Sequence, residues 1–351
     1  MWSVIRSKAV LAVAMAAAVG VTASACTSTS TATSNPSSSA PPLVVYSAQG
    51  YDQPVIDAFQ KATGIQTKLV SDSTGPLLAK VAAEKSNPQW SVLWADGAEA
   101  FASLDGQGQL LKGYEPSVSL TAAGKSVVPA DQSYVPTGLT LAGAILYDPA
   151  KTPNPPKSWQ DLLSPAWQGK VGMPNPAISG PTYPFVAGMM NQLGGEDQGK
   201  AYFTKLKANG LKVFNTNPDS LHALTTGAIQ LDLAQSSAAF AGVQKNPGLK
   251  VAFLNKVSLL PGVLGIDAKA PAAVQAEAKK FVEFVLSPAG QQAMLTGNPG
   301  GDSLFWPLVN GVSPQSALPP LSSVAYQTVD AYQWGPKESE INTWFTQNIA
   351  R

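Results

Sequence analysis

Short apolar runs alternate with helix-periodic segments along most of the chain. Leu43–Tyr46 predicts a buried strand, and Val55, Ile56 and Phe59 mark one face of a helix that starts near Pro54 and stops at Gly64. The same alternation continues with strands at Ile65–Val70 and Ser91–Ala95 and helices at Pro76–Glu84 and Ala98–Leu104. Strands that alternate with helices predict an α/β fold with a mostly parallel sheet covered on both faces.

The alternation resumes after a long extended segment, Gly138–Tyr147. The predicted strands are Lys170–Met173, Leu211–Phe214, Ile229–Ala234, Val251–Phe253 and Gly262–Ile266. The clearest predicted helices are Thr182–Leu193, Gln198–Asn209 and Pro271–Leu286, and the C-terminal part is mainly helical.

Two extended segments, Thr137–Thr140 and Leu259–Val263, read as crossings between two lobes. The predicted lobe 1 comprises residues 43–138 and 264–351, and lobe 2 comprises residues 139–263. A cleft between two lobes joined by two crossings suits a clamshell that closes on a ligand.

The N-terminus has the layout of a secretory signal peptide over residues 1–25. Arg6 and Lys8 precede an apolar run, Ala9–Val21, that is too short for a permanent membrane span of about 20 residues. Cys26, the only cysteine, follows a small-residue site that resembles a lipobox, although Ala23–Ala25 also fits ordinary signal-peptidase cleavage. We expect a protein that works outside the cytoplasm, with a lipid on Cys26 and a flexible Ser/Thr/Pro tether over residues 26–42.

Composition excludes several classes of function. A net charge of +1 without a basic stripe argues against nucleic acid, and the lone cysteine gives no disulfide framework. With one histidine, His222, and one cysteine, the chain has no His/Cys metal cluster and no Cys–His dyad, and it carries no nucleophile elbow, zinc-protease or P-loop motif. We therefore expect no enzyme, no cofactor and no resident metal, and we expect a monomer; a Ser-dependent secreted hydrolase stays open as an alternative.

A hydroxyl–Gly–Pro pattern occurs once in each predicted lobe, just before a helix. Thr74-Gly75-Pro76 and Ser179-Gly180-Pro181 place unpaired N–H groups, a hydroxyl and a positive helix end together, which favours an anion. Asn217-Pro218 and Ser236-Ser237 open two further helices in a similar way. Each of these residues is equally an ordinary helix N-cap, so the repetition across both lobes carries the anion-site interpretation.

Asp96 ends a predicted strand and could hold a ligand ammonium or a metal. Its spacing from Glu99 also fits a capping box, which leaves a structural role open. The predicted ligand-binding set is Ser47, Gln49, Thr74, Gly75, Asp96, Ser179, Gly180, Thr182, Tyr183, Asn217, Gln235, Ser236 and Ser237. Tyr46, Trp94 and Tyr183 could stack on a ligand or pack in the core.

The stretches LVVYSAQG, STGPLLAKVAAE, PKSWQDLLSPAWQGKVGMPNP and AEAKKFVEFVLSPAGQQAML resemble the extracellular solute-binding proteins of ABC importers. The resemblance covers most of residues 43–310 and is nearest to the ferric-iron-binding-protein-like group. It implies a two-lobed type II periplasmic-binding fold, a small-molecule ligand, and an ABC permease as the membrane partner.

The iron ligands of that group are not matched here. Iron-binding members use a His or Gln, a Glu and a Tyr pair at positions that hold Gly50, Asp96 and Ser237-Ala238 in this chain. What the resemblance carries over is the anion side, at Ser179-Gly180, Asn217 and Gln235. It therefore implies a receptor for a small anionic or zwitterionic solute, such as a phosphonate, a phosphorylated compound or a carboxylate. Receptors for ferric iron or polyamines, and a purely structural surface lipoprotein, remain alternatives.

Overall fold

The computed structural model describes residues 41–351. The predicted signal peptide, Cys26 and all but the last two residues of the predicted tether lie outside the described residues. Within residues 41–351, no helix combines the length and the hydropathy that a membrane crossing requires.

The strands are β1 Leu43–Ser47, β2 Thr67–Ser71, β3 Val92–Asp96, β4 Tyr134–Tyr147, β5 Val171–Pro174, β6 Lys212–Phe214, β7 Leu231–Gln235, β8 Lys250–Ile266, β9 Trp306–Pro307 and β10 Tyr326–Gln327. The α-helices are α1 Asp52–Thr63, α2 Thr74–Ala83, α3 Ala98–Gly106, α4 Ala122–Lys125, α5 Thr182–Leu193, α6 Glu196–Ala208, α7 Asn217–Thr225, α8 Ser236–Lys245, α9 Ala272–Leu286, α10 Pro288–Gly297, α11 Ala331–Trp334 and α12 Glu338–Asn348. Most predicted elements exist, with ends that coincide or differ by up to four residues.

The strands form a sheet in the order β2-β1-β3-β8-β4-β7-β5-β6, with β9 and β10 on β4 and β8. The expectation of a mostly parallel sheet holds within the two halves, β1–β3 and β5–β7, but the sheet as a whole is mixed. Pairs within each half are parallel (β1 with β2 and β3, β5 with β6 and β7), but β8 runs antiparallel to β3 and β4, and β4 antiparallel to β7. The antiparallel pairs involve the two central strands, β4 and β8. The chain passes from the first half to the second along β4 and returns along β8, so these two strands run in opposite directions.

The two predicted crossings lie side by side in the long β4–β8 pair. Gly138 faces Gly262 and Thr140 faces Leu260. The predicted strands Val251–Phe253 and Gly262–Ile266 are parts of the single strand β8, which the sequence pattern divides because polar Asn255 and Lys256 interrupt the apolar run. At this point the register between β4 and β8 shifts, and Lys256 adopts a φ of 57°. The limits of the two lobes stay a prediction.

Aromatic side chains fill the core in both halves of the sheet. On α1 and α9, Phe59 and Phe281 pack edge to face with ring centroids 5.1 Å apart. In the other half, Phe203 of α6 packs on Phe345 of α12 at 5.5 Å, so the C-terminal helix completes that core.

A candidate ligand-binding cleft

A cavity of about 650 Å³ lies where the two halves of the sheet meet. The first half contributes the ends of β1 and β3, the start of α2 and the loop after α10, and the second half contributes the segment before α5 and parts of α7, β7 and α8. The wall includes Ala48, Ser73, Thr74, Asp96, Ser179, Gly180, Pro181, Thr216, Asn217, His222, Asp232, Gln235, Ala238, Asn298 and Asp302.

The hydroxyl–Gly–Pro segments lie at this cavity, but their helix positions differ from the prediction. Helix α2 begins at Thr74 with Ser73 as its N-cap, so Pro76 is the third helical residue. Helix α5 begins at Thr182, and Pro181 is its N-cap. Proline fits both places, because the first four N–H groups of a helix have no partner within the helix. Thr74, Ser179 and Gly180 therefore reach the cavity wall, whereas Gly75 and Thr182 do not.

The two segments also touch each other across the cleft. The Gly75 N–H donates to the Ile178 carbonyl at 3.3 Å, so it is occupied by a contact between the halves. A Cβ atom at Gly75 would lie 2.2 Å from the Ala177 carbonyl oxygen, and one at Gly180 would lie 2.4 Å from the Thr74 Cβ. Real Cβ contacts are not this short. Both glycines are therefore required for this close approach.

The start of α7 brings amide and hydroxyl groups to the cavity. Thr216 caps the helix, and its N–H and hydroxyl bind the Asp219 carboxylate at 3.1 and 2.8 Å. Asn217 is the first helical residue and Pro218 is the second, whereas the predicted pattern has proline at the first helical position. No group among the described residues bonds to the buried Asn217 Oδ1, which leaves this oxygen as an acceptor.

The serines at the start of α8 do not line the cavity; the next residue, Ala238, does. Ser236 is fully buried, and its Oγ accepts a hydrogen bond from the Leu141 N–H at 2.9 Å, which ties α8 to β4. Ser237 is also fully buried, and its hydroxyl has no partner within residues 41–351. In this conformation both hydroxyls lie behind the cavity wall.

Asp96 faces the cavity and does not cap α3. The N-cap of α3 is Gly97, with a φ of 96° and no side-chain capping bond, so the capping-box alternative is wrong. Gln49 Nε2 donates to Asp96 Oδ1 and Gln235 Nε2 donates to Asp96 Oδ2, each at 2.9 Å. Both glutamines are buried, and Gln235 also bonds to the Thr140 hydroxyl at 3.1 Å. The two amides fix the carboxylate from both halves of the sheet.

Asp302 stands beside Asp96 and was missed by the sequence analysis. Its Oδ2 accepts the Gly50 N–H at 2.7 Å. Burial, and then the charge of Asp302, raise the pKa of Asp96 to about 7, and the two glutamine amides oppose this shift. Burial likewise raises the pKa of Asp302. The Gly300-Gly301-Asp302 turn could have indicated a ligand loop, but it follows a helix and no strand-end rule points to it.

Several other predicted residues serve the framework. The Ser47 hydroxyl accepts the Gln49 N–H at 3.1 Å and lies outside the cavity wall. The Tyr183 hydroxyl donates to the Trp334 carbonyl at 2.6 Å, so this ring is packed away from the cavity. Tyr46 and Trp94 are also buried, bonded to Glu84 and Thr137 respectively. Of the aromatic stacking candidates, none lines the cleft.

The cavity wall therefore carries two kinds of polar group. Hydroxyl, amide and helix-start groups come from Thr74, Ser179, Thr216 and Asn217, and carboxylates come from Asp96, Asp302 and Asp232. Within residues 41–351, no cluster of three or more His, Cys, Asp or Glu side chains has a metal-binding arrangement. Such a cleft can bind a small polar molecule, and the fold around it is that of a two-lobed binding protein.

Comparison with known proteins gives the family. The profile described as bacterial extracellular solute-binding protein matches residues 55–317, and the chain belongs to this family. It is 25% identical over 332 residues to a putative 2-aminoethylphosphonate-binding periplasmic protein of Salmonella paratyphi A, covering 90% of this chain and 93% of that one. It is 30% identical over 269 residues to the major ferric iron-binding protein of Neisseria meningitidis serogroup A, covering 72% and 78%.

A solved structure supports the fold. The periplasmic binding protein AfuA from Actinobacillus pleuropneumoniae, with fructose-6-phosphate bound, superimposes with a TM-score of 0.75 at 20% identity, over 88% of this chain and 98% of that one. The predicted type II periplasmic-binding fold is confirmed. The chain is an extracytoplasmic solute-binding protein of an ABC importer, as the sequence predicted.

Proposed function

We propose that this receptor captures a small zwitterionic solute that carries a compact oxyanion and an ammonium group, with 2-aminoethylphosphonate as the simplest example. The observation that carries the proposal is the presence of both neutral donors and carboxylates on the wall of one cavity. A phosphonate or phosphate fits against Thr74, Ser179-Gly180 and the start of α7, and an ammonium fits against Asp96 and Asp302.

The charges of the cleft support a zwitterion over a simple anion. An anion alone would lie near two carboxylates, whereas an ammonium next to Asp96 replaces repulsion with attraction. Asp96 is already oriented by Gln49 and Gln235, so little side-chain entropy is lost when the ligand binds. The Salmonella relative named for 2-aminoethylphosphonate lends further support, because it matches nearly the whole chain.

Ferric iron is a weaker candidate, although a relative is named for it. The resemblance places iron-binding tyrosines where this chain has Ser237-Ala238, and the Ser237 hydroxyl is buried behind the cavity wall. A serine hydroxyl stays protonated at neutral pH and does not replace a phenolate. A diamine or polyamine is the other candidate, because Asp96 and Asp302 would suit two ammonium groups.

A thermal-shift screen of the purified protein separates these ligands. The panel is 2-aminoethylphosphonate, phosphorylated acids, carboxylates, amino acids, spermidine and ferric citrate. A ligand at a hundredfold excess over its Kd stabilises the fold by about 2.7 kcal/mol, which raises the melting temperature. We expect 2-aminoethylphosphonate to raise the melting temperature more than any other ligand of the panel. Stabilisation by spermidine alone would replace the proposal with a polyamine receptor.

Three further parts of the proposal concern context. We infer that Cys26 carries a lipid that holds the receptor at the membrane, that the protein acts as a monomer, and that it releases its solute unchanged to a permease. Replacing Cys26 by Ala should release the protein or leave it unprocessed. Membrane retention of a correctly cleaved Cys26→Ala protein would contradict lipidation. Turnover of phosphate or carboxylate esters by the purified protein would favour the hydrolase alternative.

A further inference from the structure

Beyond the residues assigned to the zwitterion, the cavity is also lined by residues of α7 and α8. Leu221 and Thr225 line it from α7, and Ala238, Ala241 and Lys245 line it from α8. These positions recur at helical spacing, so each helix presents one face to the groove. The two alanines on α8 leave space that larger side chains would fill. We call this region the α7–α8 groove.

Asp232 of β7 lines the same cavity as the α7–α8 groove. Its side chain is 1% exposed, and no donor among the described residues reaches Oδ1. Burial raises the pKa of Asp232 to about 7, although the nearby Ser220 hydroxyl favours the ionised form. A buried acceptor without a partner costs roughly 1–3 kcal/mol, so a ligand group that donates to it recovers that loss.

The size of the cavity is consistent with a ligand group in this place. A volume of about 650 Å³ lies well inside the range of roughly 300–1,000 Å³ for pockets that hold drug-sized ligands. A two-carbon aminophosphonate between Asp96 and Ser179 would leave the α7–α8 groove empty. Asn217 Oδ1, another buried acceptor without a partner, lies on the cavity wall at the start of α7.

We propose that the transported solute is a hydroxylated zwitterion, larger than 2-aminoethylphosphonate, whose hydroxyl-bearing part enters the α7–α8 groove and donates a hydrogen bond to Asp232. This inference rests on the proposed function and adds a third recognition point to it. A hydroxyl fits better than a second ammonium for two reasons. The carboxyl of Asp232 accepts from a hydroxyl in either protonation state, and the cation of Lys245 lines the same groove.

The test compares a compact and an extended zwitterion by isothermal titration calorimetry. The compact ligand is 2-aminoethylphosphonate, and the extended one is glucosamine 6-phosphate, which adds a hydroxylated ring to an ammonium and a phosphate. We expect wild-type protein to bind the extended ligand more tightly. Asp232→Ala should weaken the extended ligand by about tenfold or more and the compact one by less than about twofold, because only the extended ligand bonds to Asp232.

Control variants distinguish loss of the hydrogen bond to Asp232 from a general loss of folding. Asp232→Asn keeps an acceptor oxygen and should retain most of the preference for the extended ligand. Asp197→Ala removes an exposed carboxylate at the start of α6 and should change neither Kd. If Asp232→Ala does not fold, Asp232→Leu, which has a similar volume and no acceptor, replaces it: loss of the preference for the extended ligand supports the proposal, and retention of that preference overturns it.

The outcomes also separate this inference from the proposed function. If 2-aminoethylphosphonate binds but glucosamine 6-phosphate does not, the groove proposal is overturned and the zwitterion site stands. Equal losses for both ligands in Asp232→Ala, or no loss for either, also overturn the groove proposal. If neither ligand binds wild-type protein, both proposals fail together.

Discussion

Gly180 offers the sharpest test of whether the two halves close on the ligand. Its α-hydrogen lies so close to Thr74 that a Cβ atom does not fit there. A Cβ at this position would lie 2.4 Å from the Thr74 Cβ and 2.5 Å from its Cγ2 and Oγ1. Carbon atoms in contact normally stand about 3.5–4.0 Å apart, so Gly180→Ala must push the two halves apart by about 1 Å. Rotating the Thr74 side chain does not relieve the contact with its Cβ.

The expected effect falls on ligand binding. Overpacking of this kind costs about 1–3 kcal/mol, and we expect it to apply to the closed conformation, in which these segments touch. The apparent Kd should therefore rise by about 5- to 150-fold, while the melting temperature of the ligand-free protein changes little. The measurement is titration calorimetry with the best ligand of the thermal-shift screen, together with small-angle scattering to follow ligand-induced compaction.

The matched control is Gly106→Ala at the end of α3. A Cβ there would meet no atom within 4 Å, so both affinity and compaction should match wild type. A Gly180→Ala protein that binds with wild-type Kd and still compacts would refute the reasoning, since the halves would then not need this approach.

Three further predictions concern ligand chemistry. Ser179→Ala removes a cavity hydroxyl and should weaken an oxyanion ligand by about ten- to a hundredfold in titration calorimetry, and an unchanged Kd would exclude Ser179 from the site. Because burial raises the pKa of Asp96 from 3.8 to about 7, the folded ligand-free protein holds a proton that the unfolded chain releases. Its free energy of unfolding should fall as the pH rises from about 4 to 7, and Asp96→Asn, compared by urea melts, should flatten that fall and weaken binding of an ammonium ligand. Identical pH profiles of wild-type and Asp96→Asn protein would contradict the raised pKa of Asp96. Ferric salt should give no strong visible charge-transfer band. Such a band, together with tight calorimetric binding, would show that the protein binds ferric iron without the tyrosine pair.

The sequence predicted the positions of the helices and strands better than it predicted which strands pair and in which direction. Apolar periodicity located the strands from β1 to β8 and most of the longer helices before α10, because burial imposes that pattern directly, but it did not locate the short elements α4, β9 and β10. It divided β8 at Asn255 and Lys256, since a bulge inside a long strand looks like a loop in hydropathy. It also could not reveal the antiparallel pairs, because strand direction in the sheet depends on where the chain crosses between halves.

The cleft residues show a similar division. Thr74, Ser179, Gly180, Asn217, Asp96 and Gln235 were predicted from strand ends and helix starts, and the structure brings them to one cavity. Their role in ligand binding stays a proposal. Asp302 was missed because an irregular loop carries it, and Asp232 was missed because it lies inside a strand, between apolar Leu231 and Leu233, and not at a strand end. Tyr183 was chosen as an aromatic near a helix start, but only three-dimensional packing reveals that its hydroxyl bonds to Trp334.

The central claim is that one cleft recognises an oxyanion and an ammonium on the same small solute. Titration calorimetry of the purified protein with 2-aminoethylphosphonate, ethylphosphonate and ethanolamine tests it most directly, because the last two ligands each carry one of the two groups. We predict binding of the zwitterion at least about a hundredfold tighter than either half-ligand, since each half forfeits one charge-assisted contact worth roughly 1.5–3 kcal/mol and leaves its protein partner unpaired. Ethylphosphonate or ethanolamine that binds as tightly as 2-aminoethylphosphonate would contradict the account.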